Sequence, residues 1–356
     1  MTLAPRHAWR GWLVVVLAAT AGQAGARGEP DAASARTWLD RMGQALERQN
    51  YQGTLVELDG DGATVMRVVH RYTDEVATER LTALDGIGRE IIRRGDEVTV
   101  ILPDQRTVLV DRRENIQGST SRLREQFAGP ARFPEAHYRL ATEPGPEVVG
   151  RQTQLVMVNS ADGYRYGYRL WLDRATAMPL RVQVVDEEGA IVEQVMFSDI
   201  RLGEPIADAA FEASQSTEGF AWRRAAGAAD SAPAYPVASP WVAERLPPGF
   251  TLRATLAKPG RNKGGPLTQV VYSDGVATVS VFVEPAGEAG APSAGGAGKS
   301  PDQSEAPSGA HVGGANVYTL VTAGHLVTAM GEVPARTARA IAEAMRPEPA
   351  ANARSR

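Results

Sequence analysis

The chain contains no cysteine in 356 residues. That absence excludes disulfides, thiolate nucleophiles, thiolate metal sites and a lipid anchor attached through cysteine. Histidine is sparse: beyond the first segment there are His70, His137, His311 and His325, and no two of them stand at metal-ligand spacing. His70 falls in an expected strand and His325 in an expected hairpin, where structural roles are the simpler reading. No G-x-S-x-G elbow occurs. The glycine-rich run near residue 295 has no strand feeding it and no helix after it, so it does not read as a phosphate loop. Carboxylate pairs such as Asp74-Glu75 and Glu187-Glu188 fall at turns and strand starts, where water reaches them. Nothing points to an enzyme, a metal or a cofactor. Beyond the first segment no apolar run reaches the roughly 18 residues of a spanning helix. The formal net charge of −4 offers no general attraction to nucleic acid or to an anionic membrane.

The first segment, "MTLAPRHAWRGWLVVVLAATAGQAGARG", has the layout of a secretory signal. Arg6 and Arg10 precede a short apolar run, and Ala24-Gly25-Ala26 offers an A-x-A cleavage site. Residues 1–26 are therefore expected to be removed, after Ala24 or Ala26, from an exported protein.

A helix is expected next, with Ser34 as its N-cap. Its apolar stripe is Trp38, Leu39, Met42, Ala45 and Leu46. The period then changes to two. "YQGTLVEL", "ATVMRVVHRY", "EVATERLTAL", "REIIRR", "EVTVIL" and "TVLVD" are separated by Gly- and Asp-bearing turns, as in an antiparallel meander. After a mostly helical break over 117–140, strands resume at "RQTQLVMV", "YRYGYRLWLD", "LRVQVVD" and "AIVEQVMFSDI". About ten strands in sequence should curl into an open barrel or a strongly bent sheet.

This large domain is assigned residues 31–212, and the Ala-, Ser- and Pro-rich stretch 213–239 reads as a linker. A small second domain spans 240–346. It holds two hairpins, the second turning at Ala323-Gly324, and a last helix "PARTARAIAEAM" with Ala338, Ile341, Ala342 and Met345 on one face. Between the hairpins, 285–314 is too polar and glycine-rich to pack and is expected to be a disordered loop. The fold class is α+β. The basic pairs Arg93-Arg94, Arg112-Arg113 and Arg223-Arg224 read as solvated strand edges, with a polyanionic lipid headgroup as the sharper alternative.

The stretch "DGYRYGYRLWLD" raises the one question of a ligand face. Alternation sends Tyr164, Tyr166, Tyr168, Leu170 and Leu172 to one side of a strand, and Arg165 and Arg169 to the other. The neighbouring strand adds Leu180, Val182 and Val184. These eight residues either fill the domain's core or border a cavity for an acyl chain, with phenol oxygens near its headgroup.

Taken in order, "REIIRRGDEVTVILPDQRTVLVD", "DGYRYGYRLWLDRATAMPLRVQVVDEEGAIVEQVMFSDI", "LPPGFTL", "VYSDGVATVSVFVE" and "GANVYTLVTAGHLVTAMGEVPARTARAIAEAM" make the chain resemble the MucB/RseB regulators of envelope-stress sigma factors. The resemblance runs from about Ala33 to Met345. It implies a half-barrel large domain similar to periplasmic lipoprotein carriers, and a periplasmic location. It also implies a function: binding the periplasmic part of a membrane-spanning anti-sigma factor and shielding it from proteolysis. Release would follow the sensing of lipid, lipopolysaccharide or mislocalised lipoprotein acyl chains. The small domain would make much of the contact, with Tyr272, Phe282, Tyr318 and His325 as partner-binding candidates, and a dimer or higher assembly is implied. A periplasmic lipid or lipoprotein carrier is the alternative, and an envelope hydrolase a third class.

Overall fold

The computed structural model describes residues 28–60, 62–86, 88–112, 127, 133–224, 240–258, 267–286, 308–312 and 314–348. The expected signal segment and most of the expected helical break lie outside these residues.

Helix α1 (Gly28–Arg48) opens the fold. Its stripe is as expected: Leu39, Met42, Ala45 and Leu46 are buried, joined by Ala35. The helix begins earlier than the sequence signals, because the good helix formers Ala32, Ala33 and Ala35 carry it past Ser34, which lies inside it and is not the N-cap.

The large sheet has twelve strands. The first six are β1 (Tyr51–Asp59), β2 (Gly62–Thr73), β3 (Val76–Ala83), β4 (Glu90–Arg94), β5 (Glu97–Leu102) and β6 (Thr107–Arg112). A second run follows: β7 (Tyr138–Val148), β8 (Arg151–Ser160), β9 (Gly167–Asp173), β10 (Pro179–Val185) and β11 (Ile191–Leu202). The two antiparallel meanders are joined where β1 pairs with β11, Tyr51 opposite Leu202. The sheet is open, with β7 at one edge. α1 packs mainly on β7 and β8 and reaches β2, six positions along the sheet. The sheet therefore curves around the helix, the half-barrel expected of so many sequential antiparallel strands.

One core cluster fills the concave side. It joins the α1 stripe to Leu55, Val68, Leu81, Ile91 and Val98 of the first run and to Val156, Leu170, Leu180 and Phe197 of the second.

Parts of two segments differ from the reading as linker and loop; residues 225–239 of the expected linker lie outside the described residues. Beyond Phe211 the chain stays on the large sheet: Ser214 donates its backbone N–H and its hydroxyl to the buried carboxylate of Glu90. Ala213 and Phe220 pack on Ile101, Val108 and Val110. Then β12 (Ala221–Arg224) pairs in parallel with β6 and becomes the other sheet edge. Composition hides this, because the stretch is held by two apolar contacts and by backbone bonds. Of the expected disordered loop, residues 308–312 form a strand, and 287–307 lie outside the described residues. Arg93 is also not a solvated edge: it is buried against the buried carboxylate of Glu79, at 3.3 Å.

The small domain comprises β13 (Trp241–Ala243), β14 (Thr251–Lys258), β15 (Leu267–Ser273), β16 (Thr278–Pro285), β17 (Ser308–Val312), β18 (Ala315–Thr322), β19 (His325–Gly331), α2 (Ala335–Ala344) and β20 (Met345–Pro347). Six strands run in the order β14-β15-β16-β19-β18-β17, and β13 pairs with β20. Ala323 and Gly324 both take positive φ (48° and 73°), the conformation a two-residue hairpin turn between β18 and β19 requires. α2 lays Ala338, Ile341 and Ala342 on Val279, Val281, Val327 and Ala329.

Candidate functional site

β9 and β10 bring five of the eight cavity candidates into the large core: Tyr168, Leu170, Leu172, Leu180 and Val182. Val184 packs against that cluster and is partly buried. The space over Tyr168 is occupied. The rings of Phe127 and Phe133 stand 5.4 and 5.8 Å from it, and Phe133 meets Tyr138 edge-on at 5.2 Å. Burial, with Tyr168 and Asp274 nearby, pushes the Tyr138 phenol well above its usual range. Among the described residues, the interior around Tyr168 is filled by aromatic rings.

Tyr164 and Tyr166 do not belong to it. The strand starts only at Gly167, and between it and β8 residues 161–165 form a bend. Ser160 Oγ accepts from Gly163 N–H, and Asp162 Oδ1 accepts from Tyr164 N–H. Alternation fails across the bend, so Arg165 does not face water.

Arg165 is instead among the most deeply buried side chains of the protein, at 1% exposure. Its Nη1 donates to Asp162 Oδ2 at 2.5 Å, its Nε to Asp274, and its Nη2 to the Pro248 carbonyl. The guanidinium lies 5.1 Å from the centre of the Phe250 ring. Pro248, Phe250 and Asp274 all belong to the small domain, so the bend places a cation of one domain among acceptors of the other. A charge so buried is tolerated only with its donors fully used. His137 Nδ1 lies 3.8 Å from Asp162 Oδ2 on the outer side of this group.

Three more bonds cross at the same place. Asn316 Nδ2 donates to the Tyr166 hydroxyl at 2.9 Å, Thr337 Oγ1 donates to the Tyr164 carbonyl at 2.8 Å, and Arg336 pairs with Glu187. Burial raises the Tyr166 phenol above its usual range, partly offset by the bond from Asn316. Beside the bend a groove of about 720 Å³ is lined by Tyr164, Leu246, Pro248, Ala340, Glu343 and Arg346. The Asp162-Gly163 pair, a turn signal, and Gly167 were the marks in the sequence that the alternation breaks here.

The four partner candidates of the small domain do not form one patch. Tyr272 is buried; its hydroxyl accepts from Ala243 N–H at 3.0 Å, so it ties β13 to β15 and serves the core. Tyr318 is half-buried on the α2 side, donating to Glu343 at 3.0 Å beneath Arg339. His325 stands edge-on to Trp241 at 5.0 Å. Phe282 alone lies on the sheet face away from α2, opposite Thr328.

Among the described residues no group of three or more His, Asp or Glu side chains could hold a metal ion, and no helix is long and apolar enough to cross a membrane.

Comparison with known proteins matches both halves of the chain. The MucB/RseB N-terminal domain is found over residues 34–215 and the MucB/RseB C-terminal domain over 236–346. The sigma factor AlgU regulatory protein MucB of Pseudomonas aeruginosa is 29% identical over 337 residues, covering 90% of this chain and 93% of that protein. The sigma-E factor regulatory protein RseB of Escherichia coli is 24% identical over 306 residues, covering 86% and 88%. A crystal structure of MucB in complex with MucA(peri) aligns with a TM-score of 0.67 at 27% identity, over 90% of this chain and all of that one. With both domains matched in order and nearly end to end, the chain belongs to the MucB/RseB family of sigma factor regulatory proteins.

Proposed function

We propose that this protein acts in the periplasm, where it binds the periplasmic region of a membrane-spanning anti-sigma factor, shields it from the protease that begins its destruction, and releases it when lipid, lipopolysaccharide or mislocalised lipoprotein is sensed. The observation that carries the reading is the match of both domains to a relative crystallised with MucA(peri). The architecture is in keeping with it: two domains bonded through a buried polar junction, and a groove beside that junction. In this reading residues 31–212 sense the ligand, and 240–346 supply most of the partner surface. Release needs only differential affinity: a ligand that prefers the free form by about a hundredfold shifts the equilibrium by roughly 2.7 kcal/mol.

The test is a titration of the mature protein with a fluorescent periplasmic segment of the anti-sigma factor, with and without purified lipid A. Saturable binding that weakens as lipid A is added is the expected result. Binding that lipid A leaves unchanged would remove the release step, and lipid binding without any partner binding would favour the carrier.

A further inference from the structure

We propose that the bend Asp162–Tyr166 is an inter-domain clasp, and that it transmits a disturbance of the aromatic interior to the small domain. The clasp itself follows from geometry; its effect on a partner rests on the regulator reading above.

Three consecutive residues of the large domain, Tyr164, Arg165 and Tyr166, reach four separate places in the small one. Arg165 bonds the Asp274 turn and the Pro248 carbonyl, and its guanidinium faces Phe250. Tyr166 meets Asn316 of β18, and the Tyr164 carbonyl meets Thr337 of α2. The contact is close from both sides. Gly163 and Gly249 both take positive φ. A side chain on Gly163 would run into the Arg336 guanidinium, and one on Gly249 into His137 and Arg165. Each domain thus approaches the other with bare backbone at the point where Arg165 crosses.

The clasp is also continuous with the interior. β9 begins at the residue after Tyr166, and two residues along the chain Tyr168 is packed by Phe127 and Phe133. Tyr138 lies between the two regions: its ring meets Phe133, and the charges of Asp274, Arg165 and Asp162 act on its phenol. His137, next in the chain, flanks Asp162. A ligand that displaces these rings moves the root of the bend. Arg165 would then be drawn, with Asp162, from Asp274 and the Pro248 carbonyl, and a buried charge pair that loses its geometry stops holding. Transmission thus requires two arrangements of the clasp: the closed one seen here with the interior filled, and an open one with it displaced.

The chain has no cysteine, so introduced thiols are unique labelling sites. The first measurement is a spin-label distance distribution between Ala63→Cys and Leu252→Cys, both exposed and one on each domain. The expected result is a narrow distribution for the otherwise unaltered chain and a broad one for Arg165→Met. An unchanged distribution in a folded Arg165→Met protein overturns the clasp.

The second measurement keeps the buried charges. Glu187→Cys and Arg336→Cys, at the edge of the junction, are joined with a short bismaleimide. The joined protein should hold the anti-sigma segment through additions of lipid A that weaken binding by the unjoined dithiol about tenfold, an ordinary size for coupling between sites. Equal release from joined and unjoined protein overturns the transmission step while leaving the regulator reading standing. No partner binding by the unaltered chain sinks the regulator reading instead, and the distance distributions still decide the clasp.

Discussion

Asp173 ends β9 and does three things with one carboxylate. It pairs with both ends of the Arg151 guanidinium, at 3.0 and 3.1 Å. It accepts the Thr176 hydroxyl and backbone N–H at 2.6 and 3.0 Å, which fixes the turn into β10 and lets Ala177 take a left-handed φ of 62°. Burial alone would raise its pKa, but Arg151 and Thr176 outweigh burial and hold it below the usual carboxylate range. A folded-state value below the unfolded one gives stability that is present above the unfolded pKa of about 3.9 and lost as pH falls through the folded value. Asp173→Asn should cost about 1–3 kcal/mol at neutral pH, since charge-assisted bonds to a buried group are removed. Urea denaturation of both proteins from pH 7 downward checks this. The gap between them should stay constant to about pH 5 and narrow below about pH 4, as the unfolded chain takes up a proton that the native carboxylate still resists.

At the scale of elements, what the sequence disclosed is what periodicity encodes. The α1 stripe, the alternation of the meander strands and the turn at Ala323-Gly324 each follow from a repeat or a dipeptide, and each is where it was expected. The bend at Arg165, strand β12 and strand β17 were not legible, for a shared reason: non-local bonds hold them. Arg165 becomes a buried residue only because Asp274, 109 positions away, comes to meet it. β12 exists because β6 offers an edge, and β17 because β18 does. The same physics made Tyr272 look like surface when it is core, since its hydroxyl is satisfied by Ala243 from another strand. α2, by contrast, declared its face outright. Ile341 is wholly buried in it, so Ile341→Ala should cost about 2–5 kcal/mol through the cavity it leaves. Hydrogen exchange locates the damage: amides of β18 and β19 should lose protection, while those pairing β1 with β2 keep theirs. Equal loss in both domains would mean that the two fold as one cooperative unit.

For the whole molecule, the proposed reading sets core stability and ligand capacity in competition for the same space. Phe133 is buried and touches Tyr168 and Tyr138, so it fills part of the interior that the proposed reading gives to an acyl chain. Truncating it to alanine should destabilise the protein by about 3–5 kcal/mol. The emptied volume should then receive an acyl chain with less rearrangement. Each methylene that enters contributes about 0.8 kcal/mol, so room for two more amounts to roughly a tenfold gain in affinity. Calorimetric titration of Phe133→Ala with lauric acid at a temperature well below its melting point makes the comparison. Tighter binding by the less stable protein is the expected outcome, with partner release shifted to lower lipid concentrations. Unchanged affinity would place the acyl chain elsewhere on the molecule, and the link from interior to clasp would then have no ligand to drive it.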